Sequence, residues 1–195
     1  MSAPTLPFNL KINTNTTIQA LAPYITQSIG IDVSEGMVSE YNKSAENQGV
    51  LASEMHAHIG NLLNPADANP ASLSSQEFFN FDIAAVGLGF HHFDDPTLAA
   101  KRLAERLKTG GALFIVDFLP HGQLHAGHKA KDTVKHLGFA EEEVRRMFTE
   151  AGVGGGFEYV VVGKGIVFTH EGQQMRRSLF MARGTKGECV ISSLH

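Results

Sequence analysis

Cysteine is nearly absent from this chain: Cys189 stands alone among 195 residues. A single cysteine excludes an intramolecular disulfide and a cysteine-rich metal site, and the simplest expectation is a reducing compartment, the cytoplasm. Long apolar runs are absent too, since none approaches the roughly 20 residues of a membrane-spanning helix. The opening residues, MSAPTLPFNLK, lack the charged-then-apolar order of a secretory leader. The sequons at Asn15 and Asn42 therefore carry no glycosylation reading. Positive charge is not in excess: 16 Lys and Arg against 20 Asp and Glu give a net charge of −4. A nucleic-acid or membrane-surface binder needs a basic face, so neither is expected as a partner. Ten histidines are many for this length. They show no HExxH or other spacing of a known zinc site, and no metal is expected.

What is present suits one domain, residues 1–195, with a core over 8–183 and a polar tail over 184–195. Hydrophobic residues make up 43% of the chain, enough for a sizeable interior. The organising stretch is 81–118, FDIAAVGLGFHHFDDPTLAAKRLAERLKTGGALFIVDF. An apolar run at 83–88 is followed by a Gly-Phe-His-His loop, a helical pattern over 95–108, and a second apolar run at 112–118. Asp95 suits an N-cap and Pro96 the first helical position. Ala99, Leu103 and Leu107 recur at four-residue spacing. The pair Gly110 and Gly111 reads as the helix stop. Two nearly unbroken apolar strands joined by a helix predict a parallel sheet covered on both faces. In such sheets ligands bind beyond the carboxyl ends of the strands.

The rest of the chain fits this frame. Phe8, Leu10 and Ile12 alternate as a short strand would. A polar turn at 13–16 and a helix over 17–24 follow. The run 28–33 reads as a second strand ending at Asp32, and Ser34 suits the cap of a helix bearing Met37, Val38, Tyr41 and Ala45. A weaker strand over 55–62 precedes a Pro-, Ala- and Ser-rich surface loop at 64–76. The His-rich segment 120–136 is long for a plain connection, and such loops beside a ligand edge are often lids. A helix over 140–151 carries Val144, Met147 and Phe148, and strands at 157–162 and 177–182 close the chain as a hairpin. The glycines of 152–156 follow a helix rather than open one, so they do not form a phosphate loop. The fold class is α/β, a mostly parallel twisted sheet with an antiparallel terminal hairpin.

Asp32 ends a strand just before a helix. A carboxylate there can accept hydrogen bonds from both hydroxyls of a ribose, or it can serve as a local cap or turn residue. The stretch IGIDVSEGMVSEYN resembles the second motif of class I S-adenosylmethionine-dependent methyltransferases. FDIAAVGLGFHHFDDP is similar to that family's fourth strand and loop, LAERLKTGGALFIVDF to the entry into its fifth strand, and GFAEEEVRRMFTEAG to the helix before its final hairpin. The nearest resemblance is to the small-molecule branch that includes the ubiquinone and menaquinone biosynthesis enzymes, and it spans roughly residues 18–183 of the chain. It implies a Rossmann-like fold, S-adenosylmethionine as cofactor and a small-molecule methyl acceptor. By position it implies that Asp32 holds the ribose, that Met37 packs on the adenine, that the Asn61 side-chain oxygen reads the adenine amino group where the family commonly has Asp, and that Leu62 also binds the cofactor. Gly87 and Leu88 would then line the floor below the methionine part, with His91 and His92 at the mouth of the transfer site.

The first motif departs from the family. KINTNTTIQ stands where an acid and a glycine-rich turn are usual, and no glycine precedes Ser28. Asn13 and Asn15 tolerate left-handed backbone and can imitate such a turn. The covering N-terminal helices usual in the family are absent from this sequence, which reads as an N-terminally truncated version of the fold. Beside the enzyme stands a second class of function, a catalytically silent methyltransferase-like scaffold that binds a partner or forms a homodimer. His91, His92 and His136 are the candidate general bases. Asp117, at a strand end, reads as a substrate contact or as a surface polar residue.

Overall fold

An unbroken apolar run needs cover on both faces, and strand β4 (Phe81–Gly87) receives it: Phe81, Ala84, Ala85 and Val86 are all buried. The computed structural model describes residues 6–12, 25–122, 134–170 and 173–188. Around β4 lie β1 (Leu6–Ile12), β2 (Ile25–Asp32), β3 (Met55–Ile59), β5 (Leu107–Phe118), β6 (Gly155–His170) and β7 (Gln173–Thr185). They form one sheet in the order β3-β2-β1-β4-β5-β7-β6. The first five strands are parallel, β7 runs antiparallel to β5, and β6 closes the edge as a hairpin with β7.

The helices divide between the two faces. Helix α1 (Glu35–Asn47) places Tyr41 and Ala45 against Met55, Ala85 and Phe114. On the other face α2 (Pro96–Arg106) and α3 (Glu141–Glu150) pack Ala99, Ala100, Val144 and Phe148 onto Leu113 and Ile115. Local chemistry sets their ends. The Ser34 hydroxyl accepts from the Met37 N–H at 3.3 Å, and the Asp95 carboxylate accepts from the Leu98 N–H at 2.9 Å with Pro96 next in the chain. Each cap is worth about 1 kcal/mol. Among the described residues no helix is long and apolar enough to cross a membrane.

Four sequence expectations change. Gly110 and Gly111 do not end α2, which stops at Arg106 while β5 begins at Leu107. The glycines lie inside the strand, where residues 108–111 bulge between the pairs Phe81–Leu107 and Ile83–Ala112. A Cβ on Gly111 would stand 2.8 Å from the Phe81 carbonyl oxygen, and Gly110 has φ of +77°. Strand β5 is not covered evenly, because its residues alternate between buried and half-buried from Gly111 to Phe118. The hairpin strands are several residues longer than the apolar runs predict. The polar tail begins later than 184, since the Lys186 N–H donates to the Gly111 carbonyl and its ammonium to the Leu107 carbonyl at 2.7 Å. The expected turn at 13–16 with Asn13 and Asn15, the helix over 17–24, and residues 123–133 of the His-rich segment lie outside the described residues.

Candidate active site at the carboxyl edge of the sheet

From β1 the chain moves outward to β2 and β3, then returns to β4 on the other side of β1. Connections therefore leave the carboxyl ends of β1 and β4 in opposite directions, which opens the crevice where α/β sheets bind ligands. Asp32, Ile59, Gly87 and Phe118 all end their strands at this edge.

A cavity of about 130 Å³ opens on this side. Ile31 and Val33 form one wall at the end of β2, and Asn61, Leu62 and Leu63 form another after β3. Ala85 and Val86 of β4 give the floor, while Phe93, Ala99 and Leu103 close it from the α2 side. The walls are almost wholly apolar. Val33 stays 62% exposed although it is apolar, as a residue at the mouth of a ligand slot does. Asn61 shapes the rim by a local turn, its side-chain oxygen accepting from the Leu63 N–H at 2.8 Å. Of the sequence candidates, the cavity brings together Asn61 and Leu62. Sequence reasoning missed Val33, Phe93, Ala99 and Leu103. The available signal was Val33, an apolar residue directly after the strand-end acid.

Asp32 stands beside this mouth, half-exposed. One of its oxygens accepts from the Ser34 N–H at 3.0 Å. The other has no hydrogen-bond partner among the described residues. Ser34, not Asp32, caps α1. The carboxylate is thus aimed by a two-residue turn and keeps an acceptor oxygen for a ligand. Met37 lies in the first turn of α1, 39% exposed and outside the cavity wall.

Gly87 ends β4 in register with Ile12 and Val116. Leu88 then takes φ of +51°, a left-handed conformation costly for a branched side chain. Its N–H donates to the Val116 carbonyl at 2.8 Å. This turn starts a short 3₁₀ helix, Phe90–His92, that carries both candidate histidines. His91 is buried: its Nδ1 lies 2.7 Å from one oxygen of Asp117, and its backbone N–H donates to the other at 3.1 Å. Asp117 is fully buried and also accepts from the Phe118 N–H at 2.7 Å. The His91 carbonyl accepts from the N–H groups of Lys135 and His136, while His136 Nε2 sits 3.0 Å from the Phe93 carbonyl. His92 is exposed, with its ring centre 4.1 Å from that of His91. Asp117 is therefore neither a surface residue nor a free strand end. The parallel register of β4 and β5 brings it under the residues that follow Gly87.

His56, His58 and His121 lie outside the cavity wall. His56 and His58 share one face of β3, their rings 4.8 Å apart, and His58 also meets Phe78. Burial, then the neighbouring His56, holds the His58 imidazole below its ordinary pKa despite the opposing Glu77. His121 is likewise lowered, chiefly by burial. No group of three or more His, Cys, Asp or Glu among the described residues could hold a metal ion.

Residues 12–115 match the methyltransferase domain family. An uncharacterized methyltransferase of Schizosaccharomyces pombe is 32% identical over 139 residues, covering 68% of this chain. The chain spans about half the length of that relative, 48%. Among solved structures, the YcgJ protein of Bacillus subtilis has a TM-score of 0.65 at 16% identity, covering 96% of this chain and 94% of that one. The Haemonchus contortus phosphoethanolamine N-methyltransferase 2, solved with S-adenosyl-L-methionine, has a TM-score of 0.66 at 13% identity, covering 96% and 50%. At these identities the solved structures speak to the fold.

Proposed function

The chain belongs to the class I S-adenosylmethionine-dependent methyltransferase family, and on that footing we propose that it transfers a methyl group from S-adenosylmethionine to a small-molecule acceptor. The observation that carries this reading is the apolar slot at the carboxyl edge with a carboxylate beside its mouth. The residues present fit the cofactor. The slot between Val33, Leu62 and Phe93 is narrow and apolar, as a purine ring requires. Asp32 offers a free acceptor oxygen for a ribose diol. Because the Asn61 oxygen is already engaged with the Leu63 N–H, its amide group is the part left to meet the purine edge. Gly87 and Leu88 follow the floor residue Val86 and lead the chain on to His91 and His92. Bound there, S-adenosylmethionine supplies an electrophilic methyl group on a sulfonium, a good leaving group. The chain's own share of the work is to hold the acceptor in line with that methyl group.

Calorimetry with S-adenosylmethionine and S-adenosylhomocysteine tests the reading. Micromolar binding that Asp32→Ala weakens supports it; no binding at millimolar ligand overturns it. A second reading, the silent scaffold that pairs with a second copy, has one observation in its favour. The edge strand β6 exposes Val160, Val161, Val162, Ile166 and Val167, and an open apolar edge favours pairing with another strand. A stable dimer in light scattering, dissociated by Val161→Lys and accompanied by no cofactor binding, would select it.

A further inference from the structure

We propose that His136 is a positioning residue for the apolar slot: it holds Phe93 at the slot's wall and so sets the width that an adenine ring must fit. The inference rests on the cofactor reading above and adds to it a residue that acts from the connection between β5 and α3.

Phe93 closes the slot between the 3₁₀ helix and α2 and belongs to neither. Its place therefore depends on individual bonds. Its N–H donates to the Phe90 carbonyl at 3.2 Å, and its own carbonyl lies 3.0 Å from His136 Nε2. A carbonyl has no proton to give, so Nε2 is the donor. The rings add a second route. Phe93 packs edge-on against Phe90 with centres 5.6 Å apart, Phe90 meets Phe139 at 5.5 Å, and Phe139 meets the His136 ring at 5.3 Å.

His136 is itself anchored. The N–H groups of Lys135 and His136 both donate to the His91 carbonyl, at 3.0 and 3.1 Å. The Leu137 carbonyl accepts from the His121 N–H, and the Phe139 N–H donates to the Phe118 carbonyl, each at 2.9 Å. Residues 134–139 are thus fastened to the continuation of β5 on one side and to the 3₁₀ helix on the other. Gly138 permits this approach: its φ is +94°, and a Cβ there would collide with the Leu119 carbonyl. The ion pair of Lys135 with Asp94 is exposed and adds little. An apolar slot selects by shape, and a wall fixed beforehand loses less freedom when the ligand enters. Releasing Phe93 should therefore weaken binding without touching any group that meets the ligand.

Three variants test this. His136→Phe keeps a ring against Phe139 and removes the donor. His136→Gln returns an N–H at a similar reach. Phe93→Ala removes the ring and keeps the carbonyl. Methyl NMR on leucine-labelled protein without ligand reads the wall, because Leu62, Leu63 and Leu103 share it with Phe93. Their shifts should move in His136→Phe and return toward the wild-type values in His136→Gln. Unmoved shifts in His136→Phe overturn the proposal. Calorimetry with S-adenosylhomocysteine should show affinity about fivefold weaker in His136→Phe, the scale of one neutral hydrogen bond, and close to wild type in His136→Gln. In a Phe93→Ala background the change of His136 to Phe should cost no further affinity, while its cost in urea stability should persist because the carbonyl remains. A loss of affinity that persists without the Phe93 ring makes His136 a structural brace only and overturns the proposal. If the wild type binds no S-adenosylhomocysteine at millimolar concentration, the cofactor reading falls, and the methyl shifts still decide whether His136 sets the slot.

Discussion

The two halves of the carboxyl edge are built on different principles. Where β2 and β3 end, the site is an apolar slot with solvent-reaching polar groups at its rim, each aimed by a turn two residues long: Asp32 to Ser34, and Asn61 to Leu63. Where β4 and β5 end, the site is a buried polar node in which Asp117 ties together a histidine ring and two backbone N–H groups. The first half offers an apolar shape and keeps one Asp32 oxygen without a hydrogen-bond partner among the described residues. The second spends its acceptors on itself and fixes one ring. Substitutions should therefore separate the halves: the polar residues of the slot govern affinity with little effect on stability, while those of the node govern stability.

The largest effect is expected at the node. Asp117→Ala would remove the partner of the His91 N–H and of the His91 ring in a buried place. Loss of a buried, charge-assisted network of this kind costs about 3 kcal/mol. Urea denaturation monitored by circular dichroism measures it, and a loss no greater than that of a surface substitution would break the contrast. Next comes Asp32→Ala. It removes one exposed turn contact, so stability should change by about 0.5 kcal/mol or less. Affinity for S-adenosylmethionine should fall by about 2 kcal/mol, the scale of hydrogen bonds to a charged group. Calorimetry and denaturation on the same sample give both numbers.

How far the sequence discloses this difference depends on the range of the interactions involved. The capping residues Ser34, Asp95 and Pro96 act within one helical turn, and their roles are evident from spacing alone. The β4–α2–β5 unit is equally legible, because its apolar runs leave no other partner than a sheet. Asp117 and His91 are 26 residues apart, and their pairing depends on the register of two parallel strands, which composition does not carry. The bulge at Gly110 and Gly111 escapes for the same reason, since its cause is the Phe81 carbonyl of the next strand. Arg106 looks like an ordinary last-turn cation. It is buried, however, where it donates to the Leu73 carbonyl at 2.6 Å and lies over the Phe79 ring. Its partners belong to the loop after β3, which reads only as polar surface.

A smaller change sharpens the contrast from the slot's side. Ala99 is fully buried and contributes to the cavity wall. Ala99→Val adds two methyl groups toward that space. If the cavity is a ligand slot, cofactor affinity should fall by about 1 kcal/mol while stability holds or rises slightly, because the added carbon fills a void. Unchanged affinity together with raised stability would mean that the cavity is a packing defect and no part of the binding half.

The smallest effect concerns pH, and it appears in both halves. His58, on β3, and His121, beyond β5, each have a pKa below the ordinary 6.5 in the folded chain, mainly through burial. A lowered folded pKa means that the unfolded chain binds more protons in the interval between the two values. Stability therefore rises with pH through that interval. The contribution is complete above 6.5, declines as pH falls below it, and levels off once the folded form is also protonated. Both groups retain solvent contact, so the slope should be shallow. Replacing His58 by Gln should flatten part of it, and replacing His121 by Gln a further part, with the two changes additive because the residues sit in different halves of the edge. Midpoints of thermal unfolding followed from neutral pH to about pH 5 would show this. Non-additive changes would mean that slot and node are coupled through the sheet between them, and that cofactor binding at one reaches the histidine at the other.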